Sequence, residues 1–287
     1  MDIEKKHDDF RLSANSSLLE NRTVLFWGFD RKNIKRTSLY KNFVSDDRSI
    51  SFSLGNQVLV IKNEILTQTH KDVIEALLIL CDTSSTAKIH ISHSSILTYL
   101  QKSSKNVMWV YEIFEELHNV NFRFYTKDEN NDTVAATGFR IIDTFSFDKD
   151  TGAIIFSFNA NFLSLYSQGK VFNYSKYTPA IANLNHDITK QAVRWLLTFG
   201  NLQINVRKLL IEKLCLKNVV TKSTISKYIS RLKDENLSDF GIYFREDNIC
   251  INRSKEIGFF DGVSVSEMEG METFRTDQTS LPFFDLD

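Results

Sequence analysis

The stretch TKSTISKYISRLKDEN, residues 221 to 236, sets small hydroxyls and cations around an apolar stripe. Ile225, Tyr228, Ile229 and Leu232 recur at i, i+3, i+4 and i+7, which commits one face of a helix to a core. The opposite face presents Ser223, Lys227 and Ser230, flanked by Ser226 and Arg231, with Lys222 and Thr224 at the N-terminal end. The chemistry open to such a face is recognition. Short side chains allow close approach to base edges, donors read them, cations meet phosphates, and a helix entering the major groove leads with its N-terminal half. Residues 201 to 233 hold eight bases against one acid, Glu212, a local net of +7. A merely solvated helix face is the alternative, although such faces ordinarily mix their signs.

Residues suited to bond-making chemistry are sparse. His90 and His93 in HISH are three apart, which on a strand sends them to opposite faces, whereas the metal-binding His-x-His of rolling-circle nucleases needs i, i+2 on one face. His186 beside Asp187 at a helix start suits the helix end better than general-base work. No phosphate loop, HExxH or nucleophile elbow occurs in the chain. Cys81, Cys215 and Cys250 are widely spaced, each in an apolar or β-type segment, and are expected as buried free thiols in a reducing cytoplasm. No catalytic residue, metal site or cofactor is therefore expected.

The elements that must position the basic helix come from periodicity. LTQTHKDVIEALLILC reads as an amphipathic helix with Thr67 as N-cap, followed by a short strand KIHI, a serine-capped helix SHSSILTYLQK and a third helix NVMWVYEIFEEL. NVNFRFYT and AATGFRIIDTFSF alternate around the turn KDENND, and GAIIFSFN follows as a further strand. That is the winged-helix order. It repeats with NHDITKQAVRWLLTFG, capped by Asn185 and stopped by Gly200, then NVRKLLIEKLCL, the basic helix, and strands FGIYF and ICIN about the turn REDN. The third helix of the first repeat carries Glu112, Glu115 and Glu116 and is apolar over more than half its circumference, so it is expected to pack. At most Lys102, Ser104 and Lys105 at its leading end could touch a DNA backbone.

The expected fold class is α+β: two tandem winged-helix domains with a basic N-terminal arm and a disordered acidic C-terminal tail. The boundaries are 1–54 for the arm, 55–170 for a first domain serving association and positioning, 171–254 for a DNA-recognition domain, and 255–287 for the tail. Between Arg22 and Lys41 six bases face one acid and alternate with Phe26, Trp27, Phe29 and Tyr40, which reads either as a basic aromatic arm or as a solvated face beside a small apolar cluster. The tail holds eight acids against two bases, and the whole chain carries a net charge of −1. At 287 residues, 25% charged and 42% apolar, the composition is that of a two-domain globular protein. No apolar run reaches the roughly 18 residues of a membrane helix, and MDIEKKHDDF lacks a signal-peptide core, so no membrane partner and a cytoplasmic location are expected.

The order of segments over roughly residues 55 to 253 resembles plasmid replication initiators of the TrfA and RepA type. It does so through LTQTHKDVIEALLIL, TGFRIIDTFSFDKDTGAIIFSFNANFLSLYS and TKQAVRWLLTFG. The resemblance implies two winged helices, binding to repeated double-stranded origin DNA, melting of adjacent DNA, recruitment of the host initiator and replicative helicase, and a homodimer formed through the first domain. Near the C-terminus, Gln278, Leu281 and Phe283, with Phe284, have the spacing Q-x-x-L-x-F, which looks like the peptide by which bacterial replication factors dock on the sliding clamp. There the Gln amide would be anchored by hydrogen bonds and the apolar side chains would fill a pocket, with Pro282 lowering the ordering cost. The rival expectation is a winged-helix transcriptional repressor whose tail packs back on the fold.

Overall fold

The computed structural model describes residues 16–17, 21, 25–31, 34–54, 57–81, 88–167, 171–172, 174–217 and 219–253. The acidic tail, with Gln278, Leu281, Phe283 and Phe284, lies outside them, as does nearly all of residues 1 to 24.

The described chain begins with strand β1 (Ser16–Ser17), then helix α1 (Ser38–Ser45) and a hairpin of β2 (Ser49–Leu54) and β3 (Gln57–Lys62). The expected arm boundary at residue 54 falls inside this hairpin. Its first strand was hidden by its composition, because SISFSL carries hydroxyls at every other position. The first winged helix follows as α2 (Gln68–Leu80), β4 (Ile89–Ser92), α3 (His93–Tyr99) and α4 (Val107–Asn119). Thr67 caps α2 as expected: its backbone N–H donates to His70 Nδ1 at 3.0 Å, and its hydroxyl meets the same nitrogen at 3.1 Å. Ser92 caps α3 by accepting from the Ser95 N–H at 3.1 Å.

The wing of this unit differs from the sequence expectation. Strands β5 (Asn121–Lys127) and β6 (Thr133–Phe139) form the hairpin around KDENND, but they join β2 and β3 in a four-stranded antiparallel sheet ordered β2-β3-β5-β6. AATGFRIIDTFSF is two strands: the chain breaks at Arg140 and Ile141, and β7 (Ile142–Phe147) starts a second sheet. There β7 pairs with β8 (Ala153–Phe158), and β8 with β4, so β7 and β8 are the wing. Alternation marks a strand but carries no information on which sheet receives it. Gly152, at φ +70°, closes the wing turn, where an added Cβ would stand 2.3 Å from the ring of His93.

Helix α5 (Ala160–Ser167), strand β9 (Val171–Phe172), which pairs with β1, and helix α6 (Thr178–Ala182) lead to the second winged helix. Its elements are α7 (Asp187–Leu196), β10 (Asn201–Asn205), α8 (Val206–Lys208, continued as a π-type turn over Leu209–Lys213), α9 (Lys222–Asp234), β11 (Ile242–Arg245) and β12 (Asn248–Asn252). The sheet order β10-β12-β11 matches that of the first unit, β4-β8-β7. The cap of α7 is His186 rather than Asn185. Asn185 instead offers its backbone N–H and side-chain amide to the Glu235 carboxylate, at 2.9 and 3.2 Å, at the far end of α9.

The segment expected as a basic aromatic arm is an internal strap. Phe26, Trp27 and Phe29 are buried, Trp27 stacks on Phe29 at 5.6 Å between ring centres, and Trp27 exchanges backbone hydrogen bonds with Leu66 and Gln68. Its aromatic residues Phe26, Trp27 and Phe29 join the core, while Lys35, Arg36 and Lys41 stay exposed.

Candidate nucleic-acid interface

Helix α9 is fixed from both ends and from beneath. Ile225 and Leu232 are buried, and Tyr228 and Ile229 are half-buried, so the i, i+3, i+4, i+7 stripe is the core face as expected. Thr221 caps the helix, its Oγ1 accepting from the Thr224 N–H at 3.3 Å and lying 2.9 Å from Ser223 Oγ and 3.0 Å from Thr224 Oγ1. At the C-terminal end Glu235 holds Asn185, and Lys233 Nζ lies 3.6 Å from Asp247 in the wing turn. The Lys233–Asp247 pair is exposed and adds little, so the helix is oriented chiefly by Ile225 and Leu232 beneath it and by Glu235 at its end.

On the outward face Lys222, Ser223, Ser226, Lys227, Ser230 and Arg231 are exposed, and Thr224 is half-buried. Ser226 donates to the Lys222 carbonyl at 3.3 Å and Ser230 to Asp234 at 3.4 Å, so these hydroxyls keep their lone pairs available for a second partner. Lys222 and Lys227 form no ion pair among the described residues. The Arg231 guanidinium lies 5.8 Å from the centre of the Tyr228 ring, which directs it along the helix surface. All seven residues named from the sequence thus fall on one element, and six of them on its open surface.

Sequence reasoning placed the strands of this wing but named none of its residues as a contact. On β11, Tyr243 and Arg245 alternate with buried Ile242 and half-buried Phe244, leaving Tyr243 44% exposed, an unusual state for a large ring. Arg207 and Lys208 stand exposed at the start of α8, where Asn205 caps them at 3.0 and 3.2 Å. The alternation in IYFR was the available signal for the wing residues.

The matching helix of the first repeat, α4, is occupied otherwise. Arg31 of the strap grips Glu116 through Nε and Nη2 at 3.0 and 2.7 Å and Glu112 through Nη1 at 3.0 Å. His70 Nε2–H donates to Glu116 at 2.5 Å, while its Nδ1 accepts from Thr67. Burial of the His70 ring lowers its pKa below the usual value, against the hydrogen bonds to Glu116 and Thr67, which act in the opposite direction. Burial would raise Glu116, but the His70 and Arg31 hydrogen bonds outweigh it and hold the carboxyl at about 2. Glu116 is therefore an internal anchor more than a surface charge. Lys102, expected at most as a backbone contact, donates to the Ala182 carbonyl at 2.7 Å and to Asn183 at 2.9 Å, while Ser104 and Lys105 remain exposed.

The two units meet through their first helices. Arg194 of α7 is buried and bonds Glu75 at 2.9 and 2.8 Å, Asp72 at 2.7 Å and Gln68 at 2.8 Å, all on α2. Lys190 reaches Asp72 at 2.6 Å and Asp187 at 3.5 Å. Tyr174 adds a hydrogen bond to Glu75 at 2.7 Å. Buried charge is tolerated here because acids and bases are matched and their hydrogen bonds are made.

No protein-family model matches the chain, and no curated protein does. Among solved structures, domains 2 and 3 of RctB superpose with a TM-score of 0.50 at 13% identity, covering 72% of this chain and 90% of that chain. A second structure of RctB domains 2-3 gives 0.44 at 11% identity over 70% of this chain and 87% of that one. At such identities the first likeness speaks to the fold, a mixed α+β arrangement of tandem winged-helix units.

Proposed function

We propose that the chain is a sequence-specific DNA-binding replication initiator, without catalytic activity, that reads repeated origin DNA through its second winged helix. The observation that carries this is the outward face of α9, where hydroxyls and cations stand exposed on a helix capped at its leading end and packed on the core through Ile225 and Leu232. Hydroxyls near the N-terminal end suit base edges, and Lys222, Lys227 and Arg231 suit phosphates. Tyr243 and Arg245 are added to this interface as wing contacts.

The step from DNA binding to initiation rests on the resemblance of the segment order to plasmid replication initiators. In this reading the first unit positions the second and associates into a homodimer, and the host initiator and helicase are recruited in the cytoplasm. Gln278, Leu281, Phe283 and Phe284 dock on the sliding clamp.

Selection of duplexes from a random pool by the full chain tests the DNA reading: one enriched sequence is expected, and Ser223→Trp or Ser226→Trp should abolish the enrichment while leaving general duplex binding. A pool returned unenriched by the parent chain contradicts it. Replication of a plasmid carrying only this gene and its upstream repeats separates an initiator from a repressor. Calorimetry of a peptide of residues 274 to 287 against the clamp decides the tail; absence of saturable binding removes it.

A further inference from the structure

The strap that threads both units ends beside the recognition helix. It leaves the core at buried Ile34, makes one tight turn over Ile34–Arg36 and enters α1. Thr37 fixes that entry, donating to the Ile34 carbonyl at 2.6 Å and accepting from the Tyr40 N–H at 3.2 Å. Leu39 and Phe43 hold the inner face of α1 in the core, so Ser38, Lys41, Asn42 and Ser45 form an exposed outer stripe. Ser38 Oγ donates to the Val219 carbonyl at 2.9 Å, two residues before the Thr221 cap of α9. The first turn of α1 therefore rests against the entry to the recognition helix.

Two acid-free runs meet at that contact. Residues 34 to 45 contain Lys35, Arg36 and Lys41 without an acid, and residues 213 to 233 contain Lys213, Lys217, Lys222, Lys227, Arg231 and Lys233, likewise without one. Arg36, Lys41, Lys217 and Lys222 are all exposed and form no ion pair among the described residues. Lys35 is set apart by Glu64: burial raises that carboxyl above its usual value, while Arg48 and, more weakly, Lys35 oppose the rise. Exposed cations therefore stand on both sides of the Ser38–Val219 contact, Arg36 and Lys41 on the α1 side and Lys217 and Lys222 on the α9 side. Nothing in the packing of the strap requires Arg36 or Lys41, since its anchors are Phe26, Trp27, Phe29, Leu39 and Phe43.

We infer that Arg36 and Lys41 belong to the DNA interface, gripping phosphates that flank the leading end of α9. The inference rests on the DNA reading of α9 and adds to it a second, sequence-independent clamp from the other end of the chain. Phosphate contacts of this kind fix register without reading bases.

The test uses the full chain and the duplex selected by the parent from a random pool. Arg36→Gln with Lys41→Gln, both exposed and outside the core, should keep the parental melting temperature and the same selected sequence. The double variant should lower the slope of log K against log salt by about 1.8, at roughly 0.9 per phosphate contact. Hydroxyl-radical footprinting should lose protection on the backbone to one side of the site while the central protection remains. A parental slope and footprint in the double variant, with Lys227→Ala and Arg231→Ala still weakening binding, overturns this inference alone. Parental binding in all three variants overturns the DNA reading as well.

Discussion

Asp187 is a carboxylate whose surroundings favour the protonated form. Burial, opposed by Lys190, raises its pKa to about 6, and nearby Asp72 adds to the rise. Its folded-state pKa lies above the unfolded value of 3.8, so the folded chain binds the extra proton between those limits and gains stability as pH falls from about 6 toward 3.8. Asp187→Asn should therefore raise the melting temperature at pH 7 by a few degrees, roughly what about 1–2 kcal/mol gives in a chain of this size, and remove that pH dependence. Thermal scans from pH 4 to 8 check it. Glu116 has the opposite sign. Held at about 2, it contributes stability that is present above 4.5 and lost as pH falls through its folded-state value. Glu116→Gln should cost about 2–3 kcal/mol at neutral pH, measured by denaturant unfolding, because Arg31 and His70 lose their charged acceptor. Neither role was legible in the sequence: Glu116 looked like a surface acid at helical spacing, and only the strap's return over α4 brings Arg31 to it.

Capped, periodic helices were the legible elements. Thr67, Ser92 and Thr221 sit where a hydroxyl precedes an apolar stripe, and all three accept or close the first turn. Thr221→Ala should cost about 1 kcal/mol by loss of the cap and should weaken DNA binding by more than any exposed hydroxyl on the same helix, because it frays the leading turn. Titration with denaturant and with duplex separates the two effects. Strands were less legible. SISFSL was missed because its outward positions are serines, NLQIN because its apolar residues number only two, and AATGFRIIDTFSF was read as one strand because alternation does not stop where a chain changes sheets. The π-type turn at Leu209–Lys213 also had no sequence signal, since LLIEKL fits an α-helical stripe equally well.

At the scale of the molecule, two winged helices share one core through the strap and the ion cluster between α2 and α7. Gly28 lies so close to α7 that a Cβ would stand 2.5 Å from Gln191 and 3.0 Å from the Ile188 backbone. Gly28→Ala should consequently loosen the junction rather than either unit. Arg194→Met would leave Asp72 and Glu75 buried without their main partner, at a cost of about 3–5 kcal/mol. Its unfolding should become two transitions in calorimetry where the parent shows one. The charge imbalance of residues 201 to 233 was visible in the sequence, but that Lys222, Lys227 and Arg231 stand exposed on α9 while Lys213 is half-buried was decided by packing. The most direct test is the salt dependence of binding, by fluorescence anisotropy, to the duplex selected by the parent. Lys227→Ala and Arg231→Ala should each lower the slope of log K against log salt by about 0.9, while Lys105→Ala on the first repeat leaves it unchanged. Equal slopes in the parent and both α9 variants, or a loss confined to Lys105→Ala, would contradict the assignment of the DNA interface to the second winged helix.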